Sequence, residues 1–63
     1  MNNVLPTYRE RHDLSQAELA EAIGVSRQTI NAIERERYDP SLELAFALAA
    51  YFDSCIEDLF SPS

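Results

Sequence analysis

"QAELAEAIGVSRQTINAIER", residues Gln16 to Arg35, carries apolar side chains at helical spacing on both sides of a single glycine. Leu19, Ala20 and Ile23 recur at intervals of three and four, and Ile30 and Ile33 repeat the pattern after Gly24, so two short helices share one apolar face. Gly24 supplies the left-handed residue that a tight turn needs, Val25 plugs the turn, and the small Ala20 lets the two helices approach. The stretch reads as a helix-turn-helix unit. The second of its helices sets Arg27, Gln28 and Asn31 apart from the isoleucines, a grouping of polar side chains that a purely structural bundle does not need.

Helix starts recur outward from this unit. Ser15-x-x-Glu18 and Ser54-x-x-Glu57 both match the capping box, in which a serine oxygen and a glutamate carboxylate satisfy free N–H groups reciprocally. Ser26 and Ser41 read as further N-caps. A first helix has Leu5, Tyr8, Arg9 and His12 along one stripe, with Pro6 in its first turn, where a missing N–H does little harm. A fourth carries Leu42, Ala45, Leu48, Ala49 and Phe52. Asp39-Pro40 stops the chain between the third and fourth, because the residue before proline is pushed out of the helical region. These signals predict an all-α domain over residues 1–63, with helices at 4–12, 16–23, 27–36, 42–52 and 55–60. No strand is expected, and the tail Ser61-Pro62-Ser63 should fray.

Composition narrows the function classes. Hydrophobic residues at 46% suit a globular chain, and none of the apolar stretches approaches the roughly 18 residues of a membrane span. The N-terminus lacks a basic region followed by an apolar one, so no secretory signal is expected and the cytoplasm is the implied compartment. One cysteine, Cys55, excludes an internal disulfide and reads as a small, partly buried hydrophobe near a helix start. One histidine leaves no convincing zinc set, and no glycine-rich phosphate loop or nucleophile–histidine pairing suggests an enzyme. No metal, cofactor or catalytic residue is called for.

Charge is the anomaly. Eleven acids oppose five arginines, there is no lysine, and the net charge is −6. All five arginines lie within residues 1–38, which net −1, whereas residues 39–63 carry only acids and net −5. The absence of lysine together with dense Asp and Glu suggests a saline cytoplasm, where a Debye length of about 3 Å at 1 M confines repulsion to near neighbours.

The run "LSQAELAEAIGVSRQTINAIE", followed by "YDPSLELAFALA" and "SCIEDLF", resembles the Cro, lambda and 434 repressor family of helix-turn-helix domains from Leu5 to Phe60, and most of all its short single-domain regulators. The resemblance implies a compact five-helix fold whose third helix enters the major groove of double-stranded DNA N-terminus first, with Arg27, Gln28 and Asn31 reaching base edges. It implies that Gln16 clamps phosphate. Ser26, Thr29, Arg35, Arg37 and Tyr38 are assigned to backbone or secondary contacts. Arg9 and Glu34 fall on the inward stripes of their helices, and the family commonly pairs residues at these positions as a buried ion pair. Relatives usually end the third helix with an Asn-Gly-Lys type of turn; Arg35-Glu36-Arg37 has no such glycine and sets an acid near the phosphate path.

The family also pairs near its C-terminal end, which implies a homodimer with Ile56, Leu59 and Phe60 in or near the seam and an inverted-repeat operator. Phe46 and Tyr51 lie off the main stripe of the fourth helix, either as a second apolar patch in a dimer contact or as scattered surface apolar residues. A repressor is the simplest role for so small a regulator. The competing class is an antitoxin or adaptor that binds a protein partner through the acidic C-terminal face.

Overall fold

The computed structural model describes residues 1–62. In chain order it comprises β1 (Asn2–Asn3), α1 (Leu5–Arg11), α2 (Gln16–Ile23), α3 (Arg27–Glu34), α4 (Leu42–Tyr51), α5 (Ile56–Leu59) and β2 (Phe60–Ser61). Among the described residues, five helices and a minimal sheet make a small, predominantly helical domain.

Local chemistry starts the central helices. At α2 both halves of the capping box form: Ser15 Oγ accepts from Glu18 N at 3.0 Å, and Ser15 N donates to Glu18 Oε1 at 2.8 Å. Ser26 Oγ accepts from Thr29 N at the head of α3, and Ser41 Oγ accepts from Leu44 N at the head of α4. The last helix departs from expectation, because Ser54 is not its cap. Ser54 N is spent on Ala49 O, closing the end of α4, and its hydroxyl donates to Phe52 O. The start moves one residue on, to Cys55, which is exposed rather than partly buried and whose N–H donates to Asp58 Oδ2 at 3.0 Å.

Three helices stop short of their expected ends for one reason. Asp13, Glu36 and Asp53 have φ of 55°, 62° and 53°, the left-handed region that usually selects glycine. In each case the two N–H groups at the turn bond back into the last helical turn, as in Glu36 N to Ile33 O and Arg37 N to Ala32 O. Gly24, with φ of 90°, ends α2 in the same region. The helix-ending geometry is therefore present without the glycine that announces it, and α1, α3 and α4 end at Arg11, Glu34 and Tyr51 rather than one or two residues later.

The expectation of no strand is overturned by β1 and β2, which pair antiparallel with Asn2 opposite Ser61 and Asn3 opposite Phe60. A two-residue ladder carries no alternating pattern to read; packing brings the chain ends together. The frayed tail is corrected accordingly: Ser61 is paired, and Ser63 lies outside the described residues.

Leu5, Leu19, Ile30, Ile33, Leu48 and Leu59 are fully buried, closed over by Ala20, Ala45, Ala49, Phe52 and Phe60. Alanine at 20 and 49 keeps the helix spacing small. Phe52 takes the edge of Tyr51 at 5.1 Å and a tilted Tyr8 at 5.8 Å. Two apolar expectations are corrected. Leu42, the first residue of α4, is 67% exposed and lies at the edge of the helix between the buried Ala45 and Ala49 and the exposed Phe46. Leu59 and Phe60, expected in a dimer seam, are buried within the protomer because the turn of α5 folds them beneath α4. Of that trio, Ile56 alone is half-buried and reaches the surface groove lined by Phe46, Ala50 and Cys55.

Candidate nucleic-acid interface

The packing of α2 against α3 buries Leu19 and Ala20 against Ile30 and Ile33, which leaves the opposite side of α3 to solvent. Arg27 and Gln28 are exposed at the N-terminal end, where the aligned peptide dipoles favour negative charge. Their side chains make no hydrogen bond among the described residues, so their donors and acceptors are available to a ligand. Asn31 lies one turn further on and is half-buried. Ser26 and Thr29 engage each other, with their hydroxyl oxygens 2.9 Å apart, so Thr29 reaches a partner only in competition with that bond. Arg35, Arg37 and Tyr38 are exposed after α3, with the left-handed Glu36 between the two arginines.

Arg9 and Glu34 meet beneath this surface. Arg9 Nε donates to Glu34 Oε2 at 2.8 Å, Nη2 donates to Oε1 at 3.3 Å, and Nη1 donates to Leu14 O at 2.8 Å. The side chains are 14% and 6% exposed, and the hydrogen bond to Glu34 raises the Arg9 pKa further above its ordinary value. The guanidinium thereby joins α1, the α1–α2 turn and α3.

Gln16 is not isolated at the head of α2. Its Nε2 donates to Glu34 Oε1 at 2.9 Å, and its Oε1 accepts from Asn31 Nδ2 at 3.3 Å. Two residues assigned separately to phosphate and base are thus partners of each other. Sequence reasoning missed Asn3 altogether: its Nδ2 donates to Ile33 O at 2.8 Å and its Oδ1 accepts from Leu5 N, so β1 holds the C-terminal turn of α3. An asparagine just before a helix start is the signal, since its side chain readily accepts from the backbone two residues on.

The acidic balance does not extend to this surface. Of the five arginines, Arg9 is consumed in the ion pair and Arg11 lies over the Tyr8 ring at 5.6 Å, while Arg27, Arg35 and Arg37 all belong to α3 and its exit. Asp39, Glu43, Asp53, Glu57 and Asp58 are exposed on the later part of the chain.

A family model described as helix-turn-helix matches residues 7–59. The chain belongs to the helix-turn-helix family of transcription regulators, of Cro and repressor type. It is 57% identical over 60 residues to an uncharacterized HTH-type transcriptional regulator of Methanocaldococcus jannaschii, covering 95% of this chain and 91% of that protein. It is 43% identical over 60 residues to the uncharacterized HTH-type transcriptional regulator YgzD of Bacillus subtilis, covering the same shares. Among solved structures, the fold superposes with a TM-score of 0.81 and 35% identity on the SOS-response transcriptional repressor LexA from Eubacterium rectale. That match covers 86% of this helix-turn-helix chain and 57% of the LexA chain. No described helix is long and apolar enough to cross a membrane.

Proposed function

We propose that this helix-turn-helix protein is a sequence-specific DNA-binding repressor of the cytoplasm that reads double-stranded DNA with α3 in the major groove. The observation that carries the reading is the exposed Arg27 and Gln28 at the positive end of α3, with Asn31 one turn behind. Arginine can donate bidentately to guanine O6 and N7, and glutamine or asparagine can pair with adenine N6 and N7. Arg35, Arg37 and Tyr38 flank the helix where backbone phosphates run, and Gln16 has a remaining N–H for a phosphate at the start of α2.

The protein acts as a homodimer on an inverted repeat, with recognition helices about 34 Å apart. Support comes from the outer face of α4, where Leu42 and Phe46 are 67% and 58% exposed and Ala50 continues the stripe at the same four-residue interval. Ile56 closes the groove beside Phe46 and Ala50, and with Phe60 lines a second apolar hollow toward Met1. A continuous apolar strip of this kind on so small a domain marks an interface. Leu59 has no part in it.

The acidic rim favours a second reading for one surface only. Glu43 and Glu57 border the apolar strip, so an antitoxin or adaptor role would bring a basic protein partner to this face and leave α3 uninvolved.

Selection from a pool of random duplexes at about 0.15 M and about 1 M salt, followed by sequencing of the retained DNA, tests the proposal. Enrichment of an inverted repeat that survives high salt is expected. Folded protein that enriches nothing at either salt sinks the DNA reading and leaves the acid-rimmed face as the functional surface.

A further inference from the structure

Behind the exposed end of α3, a line of hydrogen bonds runs from the core to the surface. Glu34 Oε1 accepts from Arg9 Nη2 and from Gln16 Nε2, and Gln16 Oε1 accepts from Asn31 Nδ2. A carboxylate paired with a guanidinium only accepts, so the polarity of the line has one sense. Gln16 must turn its NH2 toward Glu34. Its carbonyl must then face Asn31, which in turn must offer its own NH2. Asn31 is left with its carbonyl oxygen and one N–H for an outside partner, each on a defined side. An amide placed opposite adenine N6 and N7 needs that arrangement, because exchanging its oxygen and nitrogen exchanges acceptor for donor.

We propose that Glu34, whose side chain is 6% exposed, is a specificity-determining positioning residue that sets the amide orientation of Gln16 and, through it, of Asn31. The inference rests on α3 being a DNA reader. The Glu34 side chain is nearly buried and spent on Arg9 and Gln16, so its influence on sequence preference passes through the two amides. The Arg9–Glu34 pair accordingly has two separable functions: Arg9 stabilises the fold, and Glu34 also orients the reader.

The roles separate in duplex selection with three proteins. Arg9→Met combined with Glu34→Leu replaces the pair by apolar side chains of similar length, a change that buried pairs often tolerate, and removes the acceptor for Gln16. Arg9→Lys weakens the pair while retaining the Glu34 carboxylate. Gln16→Leu leaves the pair intact and cuts the line in the middle, which keeps the test valid if the double variant does not fold. Preference at the base pair opposite Asn31 should fall about tenfold in the double variant and in Gln16→Leu. It should be unchanged in Arg9→Lys, and preferences due to Arg27 and Gln28 should persist throughout. Adding Asn31→Ala to Gln16→Leu should change base preference no further.

Folded variants that keep wild-type preference at the Asn31 position overturn the inference while leaving DNA reading intact. Wild-type protein that enriches no sequence removes the premise, and the positioning role falls with it. Side-chain amide NMR of the free protein checks the line without DNA: one hydrogen-bonded proton on Gln16 Nε2 and one on Asn31 Nδ2 are expected, the first lost in the double variant and the second in Gln16→Leu. Wild-type amides that show neither bond also overturn the inference.

Discussion

Arg9 holds Glu34 by two contacts, 2.8 Å from Nε to Oε2 and 3.3 Å from Nη2 to Oε1, and thereby ties α1 to the last residue of α3. Removing one partner leaves the other charged and nearly buried. Arg9→Ala should cost about 3–5 kcal/mol in urea unfolding, a large part of the stability of a domain this small. DNA affinity measured on Arg9→Ala should fall in step with its folded fraction. A folded Arg9→Ala at wild-type stability would show the pair to be energetically idle.

Glu36 occupies a left-handed turn, with φ of 62°, between two exposed arginines. Glu36→Gly relieves the backbone strain, so it should stabilise the fold by about 1 kcal/mol, and it removes an acid from between Arg35 and Arg37. It should also tighten binding to any duplex, independent of sequence. Thermal unfolding and titration with a random duplex read the two effects separately.

Glu18 has a pKa below the ordinary carboxylate value because its carboxylate accepts from Ser15 N and, secondarily, because of the Ser15 side chain. A depressed folded-state pKa contributes stability above the unfolded value and loses it as pH falls through the folded one. Stability should therefore decline in acid below the normal glutamate range, with a component that disappears in Glu18→Gln. Carboxyl NMR titration that places Glu18 at or above the ordinary value would contradict this.

Arg27→Ala and Gln28→Ala should each weaken operator binding by about 1–3 kcal/mol and relax preference at one position per half-site, leaving binding to unrelated DNA nearly constant. Arg35→Ala and Arg37→Ala should behave oppositely, with uniform losses. If Arg35 and Arg37 face phosphate in the proposed dimer, four arginines give a slope of log K against log salt of about −4, and each of these substitutions should reduce it by about 2. Equal effects of all four substitutions on specific and unrelated DNA would mean that α3 binds without reading.

Phe46 is 58% exposed on the α4 strip beside Ile56. Phe46→Asp should give a monomer by sedimentation or light scattering and lose high-affinity binding to the inverted repeat. Thermal stability at low concentration should change little, because the ring contributes little to the protomer core. A Phe46→Asp protein that remains dimeric places the seam elsewhere.

The helical units and their order were legible in the sequence because the information is local. Apolar residues repeat over three and four positions, Ser15, Ser26 and Ser41 cap the N–H groups three residues on, and Gly24 marks the turn of the α2–α3 unit. The inward placement of Arg9 and Glu34 followed from helical phase alone, and their pairing from family resemblance.

Other features depend on contacts between distant residues and so arise only on folding. Asn3 reaches Ile33, Gln16 turns toward Asn31, and Asn2 and Asn3 pair with the chain's end, none of which has a short-range signature. Asp13, Glu36 and Asp53 enter left-handed turns because tertiary packing fixes where the next helix must begin, overriding their preference for ordinary backbone. Leu59 and Phe60 match a surface pattern as well as a core one, and packing beneath α4 chose the core. Helical phase thus chose which residues face one another, while the tertiary structure decided which of them meet, because burial and hydrogen bonding between remote segments are settled only when the whole domain closes.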